Sequence, residues 1–291
     1  MVHALLKPHL DGQVPGIAGR VQDWVVKRDA SGASIALSVV IPAFNEERRL
    51  PATLVDLVDH LAALDRTHEI VVVDDGSTDG TSEVVRKFER LAPSIRLIRL
   101  PRNSGKGYAV RVGIVSCRGE RVLFADADGS TPIAELARLE RALDEGADIA
   151  FGSRALQSDD TRVETVFHRR LLGRAFNTWI KALLLPGVLD TQCGFKLFNR
   201  RVAQFLFERQ RSSRFSFDFE ILYLARRAGL RMSEVPVNWV NQPGSKVRVV
   251  RDGIAMLRDA VRFRMIHGGV TPDLYRQAMA DLDVVAVSEL Q

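Results

Sequence analysis

Between Ile35 and Phe151 the chain alternates short apolar runs with stretches of helical period, and no other feature narrows the fold as much. Ile35–Ile41 (IALSVVI), Glu69–Val73 (EIVVV), Ile95–Leu100, Arg121–Ala125 (RVLFA) and Asp148–Phe151 are short and rich in β-branched residues, so each predicts a buried strand. The segments between them carry apolar residues three and four apart. Leu50, Leu54, Leu57, Val58 and Leu61 do so within Arg49–Leu64, and Val84, Val85 and Phe88 within Thr81–Leu91. Lys106–Ser116 and Pro132–Glu145 continue the series as helices. Strands and helices in this alternation predict an α/β fold with a mostly parallel central sheet and helices on both faces. Open sheets of that kind bind ligands beyond the carboxyl ends of their strands.

Outside this region the pattern loosens. Residues 1–35 have no firm period and read as an appendage with one short helix around Val21–Lys27. After Gly152, Thr161–Leu185, Arg200–Phe207 and Phe217–Ala228 are expected to be helical, with a strand at Ser233–Val240. The main domain is placed at 36–242 and a basic, amphipathic helical segment at 243–291. The two cysteines, Cys117 and Cys193, lie far apart and in no metal-ligand spacing, which favours a reducing compartment. No run approaches the roughly 18 apolar residues of a membrane span, and the N-terminus lacks the shape of a signal peptide. The expectation is a cytoplasmic protein, peripheral at the inner face of a membrane.

Polar motifs stand at three of the strand ends. The first strand closes at Pro42 and runs into Phe44, Asn45 and Glu46, where Asn45 suits a helix N-cap as well as a ligand contact. The second leads into Asp74-Asp75-Gly76-Ser77-Thr78-Asp79-Gly80-Thr81, whose carboxylates can accept from a ribose or a base N–H. The fourth leads into Asp126-Ala127-Asp128-Gly129. Two carboxylates one residue apart can hold a hard divalent cation, which in turn neutralises a departing diphosphate. One such pair means little by itself; its place after an apolar strand, third in a series of strand-end acids, gives it weight. Ser104-Gly105-Lys106-Gly107 lacks the residues of a P-loop and the third glycine of a dinucleotide fingerprint, which leaves Lys106 to meet a phosphate or a base.

Taken in order, PAFNEE, VVVDDGSTDGT, RNSGKGYAVRVGI, DADGS, GSR, DTQCGFKLF and FSFDFEI resemble the family 2 glycosyltransferases, and within them the dolichyl- and polyprenyl-phosphate glucosyltransferases. The resemblance extends from about Ser38 to Trp239. It implies a Rossmann-like GT-A fold, Mg²⁺ or Mn²⁺, and inverting transfer from a nucleotide sugar, UDP-glucose. It also implies roles. Pro42, Phe44, Glu46 and Asp75 would hold the nucleoside, and Asp126 and Asp128 the metal and diphosphate. Ser153 and Arg154 would line the donor site, with Gln192 and Gly194 through Lys196 around the sugar and acceptor. Asp218 stands where soluble relatives keep a base, and Lys246 where related enzymes grip a phosphate.

The acceptor separates two readings. A sugar hydroxyl must lose a proton as it attacks, so Asp218 would then serve as base. A polyprenyl phosphate is already anionic, and Asp218 would then orient groups. A silent nucleotide-sugar-binding module is the third reading, against which the full set of acids argues. Charge bears on the partner: Lys plus Arg total 41 against 36 Asp plus Glu, a formal charge of +5. Lys246, Arg248, Arg251, Arg258, Arg262 and Arg264 crowd into one stretch, where Ile254, Leu257, Val261 and Met265 form a helical stripe. This suits an anionic bilayer surface over 246–265 as well as a helix packed on the main domain. Nucleic acid is disfavoured, because only Phe263 offers a ring for stacking there.

Overall fold

The computed structural model describes residues 34–156, 158–164, 179–180, 183–242 and 249–288. The predicted strands and helices form in the predicted order. They are β1 (Leu37–Ala43), α1 (Leu50–Ala62), β2 (His68–Asp74), α2 (Thr81–Leu91), β3 (Ile95–Arg99), α3 (Lys106–Val115) and β4 (Arg121–Ala125). A 3₁₀ turn at Ile133–Glu135 then leads into α4 (Leu136–Asp144) and β5 (Ile149–Ser153). Beyond these come β6 (Val163–Glu164), β7 (Phe195–Asn199), α5 (Arg200–Arg209), α6 (Phe217–Arg227), β8 (Met232–Pro236), β9 (Trp239–Val240), α7 (Val249–Ile266) and α8 (Pro272–Ser288). The short helix expected around Val21–Lys27 lies outside the described residues.

Seven strands make one sheet in the order β3-β2-β1-β4-β7-β5-β8. All neighbours are parallel except β7, which runs antiparallel to both β4 and β5. The two-residue period of a strand sends alternate side chains to opposite faces. On one face Val40, Val71, Val73, Phe124 and Phe198 pack against α3, α5, α6 and α7. On the other, Val39, Ile41, Val72, Leu123 and Leu197 pack against α1 and α4. Full burial of each such side chain favours the fold by about 1.5–3 kcal/mol. Covering both faces is what lets strands such as EIVVV be apolar throughout.

Two expectations change. Thr161–Leu185 is not helical from its start, because Val163 and Glu164 pair with Trp239 and Val240 in a small parallel sheet. The run Ser233–Val240 is two strands, since Pro236 ends β8 and the chain then leaves the main sheet for β9.

The helix expected over 252–266 forms as part of α7, but the face it buries is a different one. Met256, Ala260, Phe263 and the following His267 are buried against the core. Of the stripe read from the sequence, Ile254 is 65% exposed, Val261 49% and Met265 71%, beside exposed Arg258 and Arg262, while Leu257 is half-buried. Tyr275 and Met279 of α8 pack on the same core. Among the described residues no helix is long and apolar enough to cross a membrane.

Candidate active site

The loops after β1, β2 and β4 meet at one end of the sheet, as the parallel topology requires. The first two are laced together. Asn45, at φ 52, donates its N–H to Ser77 Oγ at 2.8 Å and accepts from Thr78 N–H at 2.9 Å. Glu46 N–H donates to Thr81 Oγ1 at 2.8 Å. Asn45 therefore fastens two loops rather than capping α1.

Asp75 is buried and holds the loop that starts α3. Its two oxygens accept from the N–H groups of Ser104 and Gly105 at 2.7 and 2.8 Å. Burial raises its carboxyl above the ordinary range, and those two hydrogen bonds work against the rise. Gly105 adopts φ +103, and a Cβ there would lie 2.3 Å from the Ser213 carbonyl oxygen. Only glycine allows this turn, which delivers Lys106 to the cleft as the first residue of α3.

The paired carboxylates follow β4. Asp126 Oδ1 lies 2.7 Å from Lys106 Nζ, and Asp128 Oδ2 lies 3.5 Å from Arg49 Nη1. Arg49 also forks onto Glu46, at 2.7 Å through Nε and 2.6 Å through Nη2. Burial would lower the Lys106 ammonium, but Asp126 and then Asp218 outweigh it and hold the amine above the usual lysine value. Burial raises the Asp126 carboxyl against the pull of Lys106, and Asp128 adds to the rise. A Cβ on Gly194 would fall 2.1 Å from Asp126 Oδ2, so the glycine of DTQCGFKLF makes the room this carboxylate occupies. Two carboxylates in such a cradle fit a hard divalent cation. Among the described residues no further His, Cys, Asp or Glu completes a three-ligand cluster.

Lys196 on β7 and Asp218 on the first turn of α6 form an ion pair at 2.6 Å, and both are buried. Lys196 Nζ also donates to the Cys193 carbonyl at 2.7 Å. The lysine thus fixes one carboxylate oxygen of Asp218, whose charge acts on both Lys106 and Asp126.

Arg154 is held by a partner that sequence reasoning missed. Asp190 is buried and takes the guanidinium at 2.6 and 2.8 Å, and the Arg154 N–H at 3.0 Å. Burial alone would raise Asp190, but the guanidinium holds its carboxyl down at about 2. The Arg154 guanidinium also stands 5.5 Å from the Trp239 ring. Ser153 does not reach the cleft surface. It is fully buried, and its hydroxyl donates to Glu234 at 2.6 Å. Gln192 turns its amide toward the Met256 sulfur of α7, 3.8 Å away. Pro42 is buried at the end of β1, Phe44 is half-buried, and Lys246 lies outside the described residues.

The structure therefore brings Glu46, Arg49, Asp75, Lys106, Asp126, Asp128 and the Lys196–Asp218 pair to one end of the sheet. Arg49 was the other omission; its spacing of three from Glu46 was the available signal.

Comparison with known proteins identifies the family and the fold. The glycosyl transferase family 2 profile matches residues 38–207. The dolichyl-phosphate beta-glucosyltransferase of Dictyostelium discoideum is 39% identical over 243 residues, covering 79% of this chain and 74% of that protein. The human dolichyl-phosphate beta-glucosyltransferase is 38% identical over 242 residues, covering 79% and 75%. The fold also matches glucosyl-3-phosphoglycerate synthase from Mycobacterium tuberculosis, solved with Mn²⁺, UDP-glucose and phosphoglyceric acid. That match has a TM-score of 0.58 and 22% identity, covering 81% of this chain and 80% of the other. A profile over more than half of the chain, and relatives aligned along most of it, establish that this protein belongs to the family 2 glycosyltransferases.

Proposed function

We propose that this glycosyltransferase moves glucose from UDP-glucose to the phosphate of a polyprenyl or dolichyl lipid, with inversion at the anomeric carbon. The names of the relatives at 38–39% identity support the sugar and the acceptor, and the synthase solved with Mn²⁺ and UDP-glucose supports the donor and the metal. The observation that carries the choice of acceptor is the buried Lys196–Asp218 pair. A carboxylate already engaged by an ammonium is poorly placed to take a proton from a sugar hydroxyl. A phosphate acceptor gives up no such proton.

Pro42, Phe44, Glu46 and Asp75 line the nucleoside, with Asp75 acting through the loop it ties to α3. Asp126 and Asp128 hold Mg²⁺ or Mn²⁺, which supplies charge neutralisation for the departing diphosphate. Arg154, fixed by Asp190, faces the donor sugar, and Ser153 keeps that turn in shape through Glu234. Gln192 and Gly194 through Lys196 bound the acceptor side, and Lys246 grips the acceptor phosphate. A phosphate oxygen attacks the anomeric carbon from the face opposite the diphosphate. The bond to UDP breaks as the new bond forms, and the product is a β-linked lipid-phosphate glucose.

The acceptor's solubility places the reaction at a bilayer. The outward stripe Ile254, Val261 and Met265 with Arg258 and Arg262 suits an anionic cytoplasmic leaflet. Co-sedimentation with vesicles containing phosphatidylserine, but not with pure phosphatidylcholine, is expected, and Met265→Asp should abolish it.

The test of function is transfer from labelled UDP-glucose with Mg²⁺ or Mn²⁺, with and without a short polyprenyl phosphate. Lipid-dependent transfer that disappears in Asp128→Ala is expected. UDP release indifferent to the lipid phosphate would overturn the acceptor.

A further inference from the structure

Each carboxylate of the strand-end pair already has a cation belonging to the chain itself. Lys106 Nζ is 2.7 Å from Asp126 Oδ1, and Arg49 Nη1 is 3.5 Å from Asp128 Oδ2. The two cations differ in how they are held. Arg49 is anchored by its fork onto Glu46. Lys106 is a flexible amine at the first residue of α3, with its ammonium 5.3 Å from the Phe124 ring centre and 5.9 Å from that of Phe217. Those ring faces give the amine favourable surroundings apart from Asp126.

A divalent cation and an ammonium on the same carboxylate compete for it, because like charges that close repel, even where both side chains are partly exposed. Two carboxylates also supply at most four of the six or more oxygens a hard cation takes, and no third acidic ligand stands by among the described residues. We infer that Lys106 is the resident counter-ion of Asp126 and exchanges with the divalent cation, moving to the diphosphate that arrives with it. Lys106 is then a positioning residue for the metal and a binding residue for the donor. Arg49 remains on Asp128 and Glu46 and keeps the second carboxylate aligned through the exchange. Metal alone binds weakly, since it must expel Lys106 with nothing to receive it. Metal and nucleotide together bind well, since the amine gains a phosphate. This rests on the nucleotide-sugar reading only in naming what receives the lysine.

The test is calorimetric titration of Mn²⁺ alone into the wild type and into Lys106→Met, followed by the same titration with UDP present. The exchange predicts that Lys106→Met binds Mn²⁺ alone about tenfold more tightly than the wild type, in line with coupling of ordinary size. It predicts that UDP tightens Mn²⁺ binding in the wild type by a similar factor, and much less in the variant. Equal or weaker Mn²⁺ binding by a folded Lys106→Met overturns the exchange. Lys106→Gln gives the same readout should the methionine variant fail to fold. A structure with Mn²⁺ and UDP bound in which Lys106 Nζ still touches Asp126 Oδ1 overturns it as well. If Mn²⁺ tightens in the variant while UDP binds neither protein, the exchange at Asp126 stands and the uridine donor is what fails.

Discussion

Lys196 and Asp218 neutralise each other where water scarcely reaches, so the two side chains are a unit whose halves cannot be removed singly at low cost. Lys196→Met strands a buried carboxylate and should destabilise the protein by roughly 3–5 kcal/mol in urea unfolding. Replacing both residues by apolar ones of similar volume should restore most of that stability while transfer stays lost. Recovery of activity in the double variant would show that the pair only fills space. Asp190 offers a second test, through pH. Its carboxyl is held at about 2 in the fold against roughly 4 in an unfolded chain. The stability it contributes is therefore complete above about pH 4 and disappears as the pH falls toward about 2. Asp190→Asn should flatten that part of the acid unfolding curve, and also release Arg154 and raise the KM for donor. The strand-end acids were legible in the sequence because they are local: a motif follows an apolar run. Asp190 was not, because its partner Arg154 is 36 residues away. Neither residue carries a pattern that announces the other.

Among the elements, α3 shows how a loop sets the position of a side chain. The helix begins where Gly105 passes under Ser213, and Asp75 holds that start by two N–H groups. Gly105→Ala should cost about 1–3 kcal/mol, the usual range for a forced backbone conformation. It should also raise the KM for donor more than it lowers kcat, which steady-state kinetics with thermal unfolding as a control would resolve. The helix itself was readable from its period, and so was α7. Which face of α7 is buried was not, because this helix carries two apolar stripes. Met256, Ala260 and Phe263 form the inner one and Ile254, Val261 and Met265 the outer. A hydrophobic pattern identifies a helix readily, but the facing surface decides which stripe is covered. Strand β7 was missed for a related reason. FKLF has a lysine in the middle of its run, and a lysine reads as surface until Asp218 is known to meet it.

For the molecule as a whole, sheet direction and layer order followed from the alternation, whereas strand order did not. Nothing in the sequence announced that β7 would slot between β4 and β5. One global property is checkable without substrate. Cys117 and Cys193 are both buried, and burial pushes each thiol up to about 12. Neither should react with a disulfide reagent at pH 8 until the protein unfolds, and both should then appear in a single cooperative step. Early reaction of one of them would show that its side of the sheet opens on its own.

The antiparallel strand also dictates an order of assembly. The pairs among β1, β2, β3 and β4 all lie within residues 37–125, so a growing chain can close them as it emerges. β5 is made soon afterwards, yet in the main sheet it pairs with Phe195–Asn199 and Met232–Pro236, which are made later. During that interval β4 is an open apolar edge and β5 an orphan strand, the exposed states most liable to pair wrongly. Ribosome-bound chains halted before residue 195 should therefore bind chaperones that release once β7 and β8 have been synthesised.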